Sequence, residues 1–201
     1  MKICGIRDRA GLACVLEAGA DAVGCVLSPS PRRVALREAE ELFAAIPPGI
    51  LRILVLGRST PLERARALAC ACADLVQAEG AALAARRFLP VERDGPDLAP
   101  RLCRRARHHA LVLVEGAESG RGMRPDWARV ADAAGAARAQ VPGFGVVLSG
   151  GLTPDSVAGA IRQVRPYAVD VSSGVERAPG IKDAVRVQAF VLAVRGAEGS
   201  A

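Results

Sequence analysis

Short apolar runs alternate with amphipathic stretches along nearly the whole chain, and this alternation limits the possible folds more than any other feature. Eight runs predict strands, at residues 2–6, 22–27, 52–56, 75–78, 90–93, 110–114, 146–149 and 169–172. The clear cases are continuously apolar, as expected for parallel strands covered on both faces. Between them, residues recur at helical spacing. Leu36, Ala39, Phe43 and Ile46 share one face. So do Trp127, Val130, Ala131 and Ala134, then Val157, Ala160, Ile161 and Val164, and finally Val187, Phe190, Val191 and Val194. Gly19 suits a left-handed helix cap, and Thr153 or Asp155 an N-cap. Eight strand–helix units in 201 residues are the count of a single-domain α/β (β/α)8 barrel, or TIM barrel, at the short end of its size range. An open doubly wound sheet shows the same alternation, but no Gly-rich dinucleotide fingerprint follows the first strand. The barrel is expected over residues 1–195, with 196–201 a frayed tail. The fifth unit is the least regular, because Pro90 and the turn at 93–96 shorten its strand.

Composition excludes several classes of function. Hydrophobic residues are 51% of the chain and charged residues 24%, which suits a packed core. The six aromatic residues are too few for a stacking platform for single-stranded nucleic acid. The net charge is +6, and among the basic residues only Lys2 and Lys182 are lysines. The densest arginine group, Arg101, Arg104, Arg105 and Arg107, falls on one helical stretch and reads as a solvated face. A mild positive balance suits a small anionic substrate. No apolar run approaches the roughly 20 residues of a membrane span. Charge arrives too early in Met1–Arg9 for a secretory signal, so a cytoplasmic protein is expected. The six cysteines show no metal-finger spacing and read as small buried hydrophobes in a reduced compartment. Neither a metal nor a cofactor is expected, and monomer and homodimer both remain open.

In a barrel of this kind the reacting groups sit at the C-terminal ends of strands and in the loops that follow. Strand seven ends in Ser149-Gly150-Gly151-Leu152-Thr153, and strand eight in Ser172-Ser173-Gly174-Val175-Glu176. Two adjacent loops of small residues can aim many backbone N–H groups at one phosphate. Gly150, Gly151, Ser172, Ser173 and Gly174 are the candidate contacts. Cys4 ends strand one and is either a base or nucleophile or a buried structural thiol. Arg32 and Arg33 follow strand two in a proline-held loop, placed either to fork a carboxylate or to sit in solvent. Glu115 ends strand six and Asp170 ends strand eight. The first is a candidate general acid or base, the second a partner for a substrate hydroxyl or amine, and either can instead be a simple ion pair. His108 and His109 precede strand six, at the opposite face, and read as surface or cap residues.

Together these segments resemble the phosphoribosylanthranilate isomerase family of tryptophan biosynthesis, over nearly the whole chain. The resemblance rests on Lys2-Ile3-Cys4-Gly5-Ile6, Ser30-Pro31-Arg32, Asp74-Leu75-Val76-Gln77, Asp126-Trp127, Leu148-Ser149-Gly150-Gly151-Leu152, Val169 through Glu176, and Pro179-Gly180-Ile181-Lys182-Asp183. It implies a cofactor-free Amadori rearrangement of a phosphoribosyl anthranilate aminal to a 1-deoxyribulose product. Cys4 aligns with the family's base. Lys2, Arg32, Gln77 and Asp170 fall at substrate-binding positions, with Arg32 near the anthranilate carboxylate. The family acid is an aspartate ending strand six, where this chain has Glu115. Other departures are Gln77-Ala78-Glu79-Gly80 for Gln-Leu-His-Gly, Val55-Leu56-Gly57-Arg58 for Val-Phe-Val-Asn, and Ser119-Gly120-Arg121 in the sixth loop. These changes cluster at the barrel mouth and leave the phosphate side intact. They keep two alternatives in play: a same-lineage enzyme for another phosphorylated amino-sugar, and a non-catalytic phosphosugar-binding homologue.

Overall fold

A computed structural model describes residues 1–57, 59–79, 87–117 and 123–199. Arg58, Gly80 and residues 119–121, which belong to the segments named above as family departures, lie outside the described residues. The apolar runs form β1 (Lys2–Cys4), β2 (Ala22–Val26), β3 (Leu51–Leu56), β4 (Leu75–Glu79), β5 (Phe88–Arg93), β6 (Leu111–Glu115), β7 (Gly145–Ser149) and β8 (Ala168–Val171). All pair in parallel with their chain neighbours, and β8 closes on β1 with Lys2 beside Asp170 and Ile3 beside Val171. The described helices are α1 (Arg9–Glu17), α2 (Leu36–Phe43), α3 (Pro61–Ala69), α4 (Leu98–Ala106), α5 (Trp127–Gln140), α6 (Pro154–Val164) and α7 (Ala184–Glu198). Among them none is long and apolar enough to cross a membrane. The expected (β/α)8 barrel is therefore the fold.

The strand period of two sorts every side chain into one of two compartments. Ile3, Val23, Leu54, Val76, Val112, Val114, Leu148, Val169 and Val171 join the helices in one continuous apolar layer. Their sequence neighbours point into the barrel. There Leu89, Val91, Leu113 and Val147 form a separate small core. Val91, Leu113 and Val147 lie in one row, with Val91 opposite Leu113 and Leu113 opposite Val147, while Leu89 pairs with Gln77. The same parity sends Lys2, Cys4, Gln77, Glu79, Glu115, Ser149 and Asp170 inward.

Five details differ from expectation. The fifth strand starts at Phe88, two residues early, and Pro90 lies inside it opposite Ala78. Pairing on both sides outweighs the proline. α7 continues to Glu198 because its buried stripe of Val187, Phe190, Val191 and Val194 extends one more turn to Ala197, only 4% exposed. Residues 196–198 are thus helix, not tail. His109 is buried and packs its ring against Phe88 at 6.1 Å instead of lying on the surface. Among the cysteines only Cys4 and Cys25 are buried, and Cys70 and Cys72 are joined as a disulfide in the turn after α3. The arginine-rich face of α4 is anchored rather than simply solvated. Arg101 and Arg105 both pair with Glu92 of β5, at 3.0 and 2.6 Å.

Beyond β8, a 3-10 turn (Ser173–Val175) leads into a hairpin of β9 (Glu176–Ala178) and β10 (Ile181–Lys182), absent from the predicted elements. Gly180, at φ +81°, makes its turn. The hairpin places Lys182 opposite Glu176, beside the mouth of the barrel.

Candidate active site

Closure of β1 on β8 builds the floor of the site. Lys2 is 3% exposed and Asp170 4%. Lys2 Nζ donates to Asp170 Oδ2 at 2.9 Å and to Gln77 Oε1 at 2.7 Å. Ser149 Oγ donates to the same Asp170 oxygen at 3.3 Å. Burial works against the Lys2 charge, but Asp170 and Cys4 outweigh it and hold the ammonium above its ordinary range. Asp170 Oδ1 is buried with no hydrogen-bond partner. A buried acceptor left open beside a cavity is costly unless a ligand supplies a donor.

This pair is structural as well. Lys2→Met strands a buried carboxylate and is expected to cost about 3 kcal/mol of stability. Urea denaturation measures it, and Asp170→Asn in the same chain is expected to restore much of the loss. Equal stability of Lys2→Met and the parent chain would contradict the pairing.

Cys4 stands two residues after Lys2 on the same side of β1. Burial pushes its thiol above the ordinary range; Lys2 opposes this, Asp170 adds to it, and Lys182 opposes it. The thiol is thus a proton-holding group set between two cations. Glu115, across the barrel at the end of β6, behaves in the same sense for a carboxyl. Burial pushes its pKa up to about 7; Arg93 opposes, Glu79 and Asp170 reinforce, and Lys2 opposes. A carboxyl of that kind still carries its proton near neutral pH.

Glu115, Arg32, Asp170, Ser149, Gly150 and Ser173 are among the residues lining one cavity of about 80 Å³ at this end of the barrel. Gly151 and Ser172 line it too. The loops after β7 and β8 touch backbone to backbone. A Cβ on Gly174 would overlap the Leu152 carbonyl oxygen. Gly150 has φ +94°, and a Cβ there would stand 2.6 Å from the Met123 carbonyl oxygen. A side chain at 174 would therefore force the β7 and β8 loops apart, and one at 150 would push the β7 loop away from the segment that follows β6.

Arg32 is placed differently from the expected open fork. Its Nε and Nη2 already hold Glu176 at 2.9 and 2.8 Å. Lys182 Nζ donates to Glu176 Oε1 at 2.8 Å and to the Ser172 carbonyl at 3.1 Å, and Ser172 Oγ donates to the Cys4 carbonyl at 3.0 Å. Despite burial, Arg32 and Lys182 keep the Glu176 carboxyl below its usual range. Glu176 and Lys182 were not among the candidate residues of the sequence, although both lie inside motifs recognised there. The hairpin that folds Lys182 back on Glu176 and the approach of Arg32 from 144 residues away are not visible in a linear pattern.

The family profile described as N-(5'phosphoribosyl)anthranilate (PRA) isomerase matches residues 1–193. The chain belongs to the PRA isomerase family. Among relatives of this family, N-(5'-phosphoribosyl)anthranilate isomerase of Pseudomonas fluorescens strain Pf-5 is 38% identical over 206 residues, covering 96% of this chain and 94% of its own. Phosphoribosyl anthranilate isomerase of Thermotoga maritima superposes with a TM-score of 0.82 at 30% identity, covering 97% of this chain and 98% of its own. A PRA isomerase solved in complex with reduced 1-(o-carboxyphenylamino)-1-deoxyribulose 5-phosphate superposes with a TM-score of 0.79 at 30% identity, with 97% of each chain covered. Two of the described departures from the PRA isomerase pattern, Glu79 and Glu115, are brought to the same arginine. Arg93 donates from Nη2 to Glu79, and its Nη1 lies 3.2 Å from Glu115 Oε1.

Proposed function

We propose that the chain isomerises N-(5'-phosphoribosyl)anthranilate to 1-(2-carboxyphenylamino)-1-deoxyribulose 5-phosphate in tryptophan biosynthesis, as a cytoplasmic enzyme acting without cofactor. The observation that carries this is the pairing of a buried thiol at one strand end with a carboxyl that titrates at about 7 at another, both facing inward at the end that holds the glycine loops. Two proton-handling groups in different environments are what an Amadori rearrangement requires.

Glu115 gives its proton to the furanose ring oxygen as the C1–O bond breaks. The nitrogen lone pair completes a protonated Schiff base at C1. Cys4, as thiolate, then removes the proton from C2, and that electron pair flows to the iminium nitrogen. The resulting enolamine becomes the ketone as C1 takes a proton from the Cys4 thiol and the C2 hydroxyl gives its proton to the Glu115 carboxylate, which restores thiolate and acid, so the sum is an isomerisation. Backbone N–H groups of Gly150, Gly151, Ser172, Ser173 and Gly174 hold the phosphate. Asp170 Oδ1 accepts from a substrate hydroxyl or amine. Arg32, fixed in orientation by Glu176, turns its remaining N–H donors toward the anthranilate carboxylate. Gln77 fixes the Lys2 ammonium, which in turn holds Asp170 and the thiol in place.

The active form has Cys4 ionised and Glu115 protonated. Because the thiol titrates above the carboxyl, this form is a minority at every pH. We expect kcat/KM to rise with pH until about 7, remain level, and fall only above the thiol's own range. A profile whose rise ends below pH 5 would exclude Glu115 as the acid.

Complementation of a tryptophan auxotroph lacking this isomerase is the direct test. Growth that needs both Cys4 and Glu115 is the expected result. No growth, with tight binding of the reduced product analogue, would mark a binding protein. Neither growth nor binding would mark a different phosphorylated amino-sugar as substrate.

A further inference from the structure

Three neighbouring strands send one charged side chain each to the same point. Glu79 ends β4, Arg93 ends β5 and Glu115 ends β6. Arg93 and Glu115 are direct partners in the strand register, and strand parity turns all three inward. Their side chains are 15%, 23% and 20% exposed, so water screens them only in part. Arg93 Nη2 makes a hydrogen bond to Glu79 Oε1. Its Nη1 is buried, lies 3.2 Å from Glu115 Oε1, and makes no hydrogen bond. The two contacts therefore differ in kind. Glu79 takes a directed bond, while Glu115 receives a coulombic contact at a poor angle.

This difference matters for an acid. A guanidinium that gripped Glu115 with two good hydrogen bonds would hold it ionised and useless as a proton donor at neutral pH. With no guanidinium, nothing on β5 would fix the longer glutamate chain against the cavity wall. We infer that Arg93 is a positioning residue for the reaction, sharing its guanidinium between Glu79 and Glu115 so that the acid is oriented without being stripped of its proton. The inference rests on Glu115 serving as the acid. The glutamates at 79 and 115, each a departure from the family pattern, then form a matched set bridged by Arg93. The other charged groups acting on Glu115 are Asp170 of β8 and Lys2 of β1, with Arg32 on the same cavity.

The test reads the rise of the kcat/KM–pH profile in four variants. Arg93→Gln removes the attraction for the ionised carboxyl, so the end of the rise is expected to move up by about one pH unit. Glu79→Gln removes the rival partner and a negative neighbour, so it is expected to move down, by about half a unit. Arg93→Lys keeps the charge and is expected to return the profile to near the parent position, with kcat still reduced. Glu115→Gln is expected to lower kcat about a hundredfold to a thousandfold and to carry the remaining rise on to the thiol's own range. A merely structural Arg93 would lower activity without moving the profile in opposite directions in its two partner variants. If Arg93→Gln fails to fold, the isosteric Glu79→Gln still carries the test. Unmoved profiles in an enzyme that Glu115→Gln inactivates would overturn the inference and leave the proposed function standing. Full activity in Glu115→Gln would remove both.

Discussion

Cys4→Ser is expected to lower kcat by about a thousandfold, within the range for loss of a positioned general base. A serine hydroxyl fits the space of the thiol but does not ionise in the accessible pH range. The geometry argues for a true base rather than a structural thiol. Cys4 lies on the inward side of β1, between Lys2 and Lys182, and both cations favour its thiolate against the cost of burial. A thiol whose pKa is pushed up is also the stronger base once ionised. Binding should survive, because the loops proposed to hold the phosphate follow β7 and β8 and do not depend on the sulfur. Calorimetry with the reduced product analogue should therefore give an affinity near that of the parent chain, while turnover collapses. Parent-level turnover in Cys4→Ser would take the thiol out of the mechanism.

Glu115→Gln is expected to cost about a hundredfold to a thousandfold in kcat, the loss of a general acid, with KM little changed. The amide keeps the length and shape of the side chain and removes only the proton, so the loss reads chemistry and not packing. Glu115→Asp tests geometry instead. The shorter chain withdraws the carboxyl by about one methylene from both the cavity and Arg93, and a misplacement near 1 Å is expected to cost about a hundredfold. The family aspartate would thus be the poorer acid in this chain, because here the arginine is set for glutamate. Turnover in Glu115→Asp above that of the parent would show that the longer acid is a handicap, and an unchanged rate in Glu115→Ala would end its role.

Much of the fold was legible because it depends on short-range patterns. Strands β2, β3, β4 and β7 fell within a residue of their expected limits, since parallel strands covered on both faces are continuously apolar. The fifth strand was underestimated, because Pro90 lowers local propensity while pairing with β4 and β6 is a tertiary gain. The last helix runs past its expected end at residue 195, because Ala197 still has a buried surface to cover. The burial of His109 is not legible in the sequence, because nothing local reveals that Phe88 of another unit packs against its ring.

The candidate site divides along the same line. That Cys4, Glu115, Ser149 and Asp170 end their strands follows from the sequence, and strand parity then turns them inward. Which groups they meet is a matter of closure. Lys2 finds Gln77 and Asp170 at separations of 75 and 168 residues, and Arg32 finds Glu176 at 144. A linear pattern records the period of burial, because each residue's exposure is set by its own helix or strand. It does not record which polar groups neutralise one another, because that depends on the register at which the first strand meets the last. The sequence by itself determined the barrel, its strand order and the inward set of reactive residues. Only the tertiary structure decided that the expected carboxylate fork at Arg32 is occupied by Glu176, that Asp170 keeps one open oxygen, and that two substituted glutamates share one arginine.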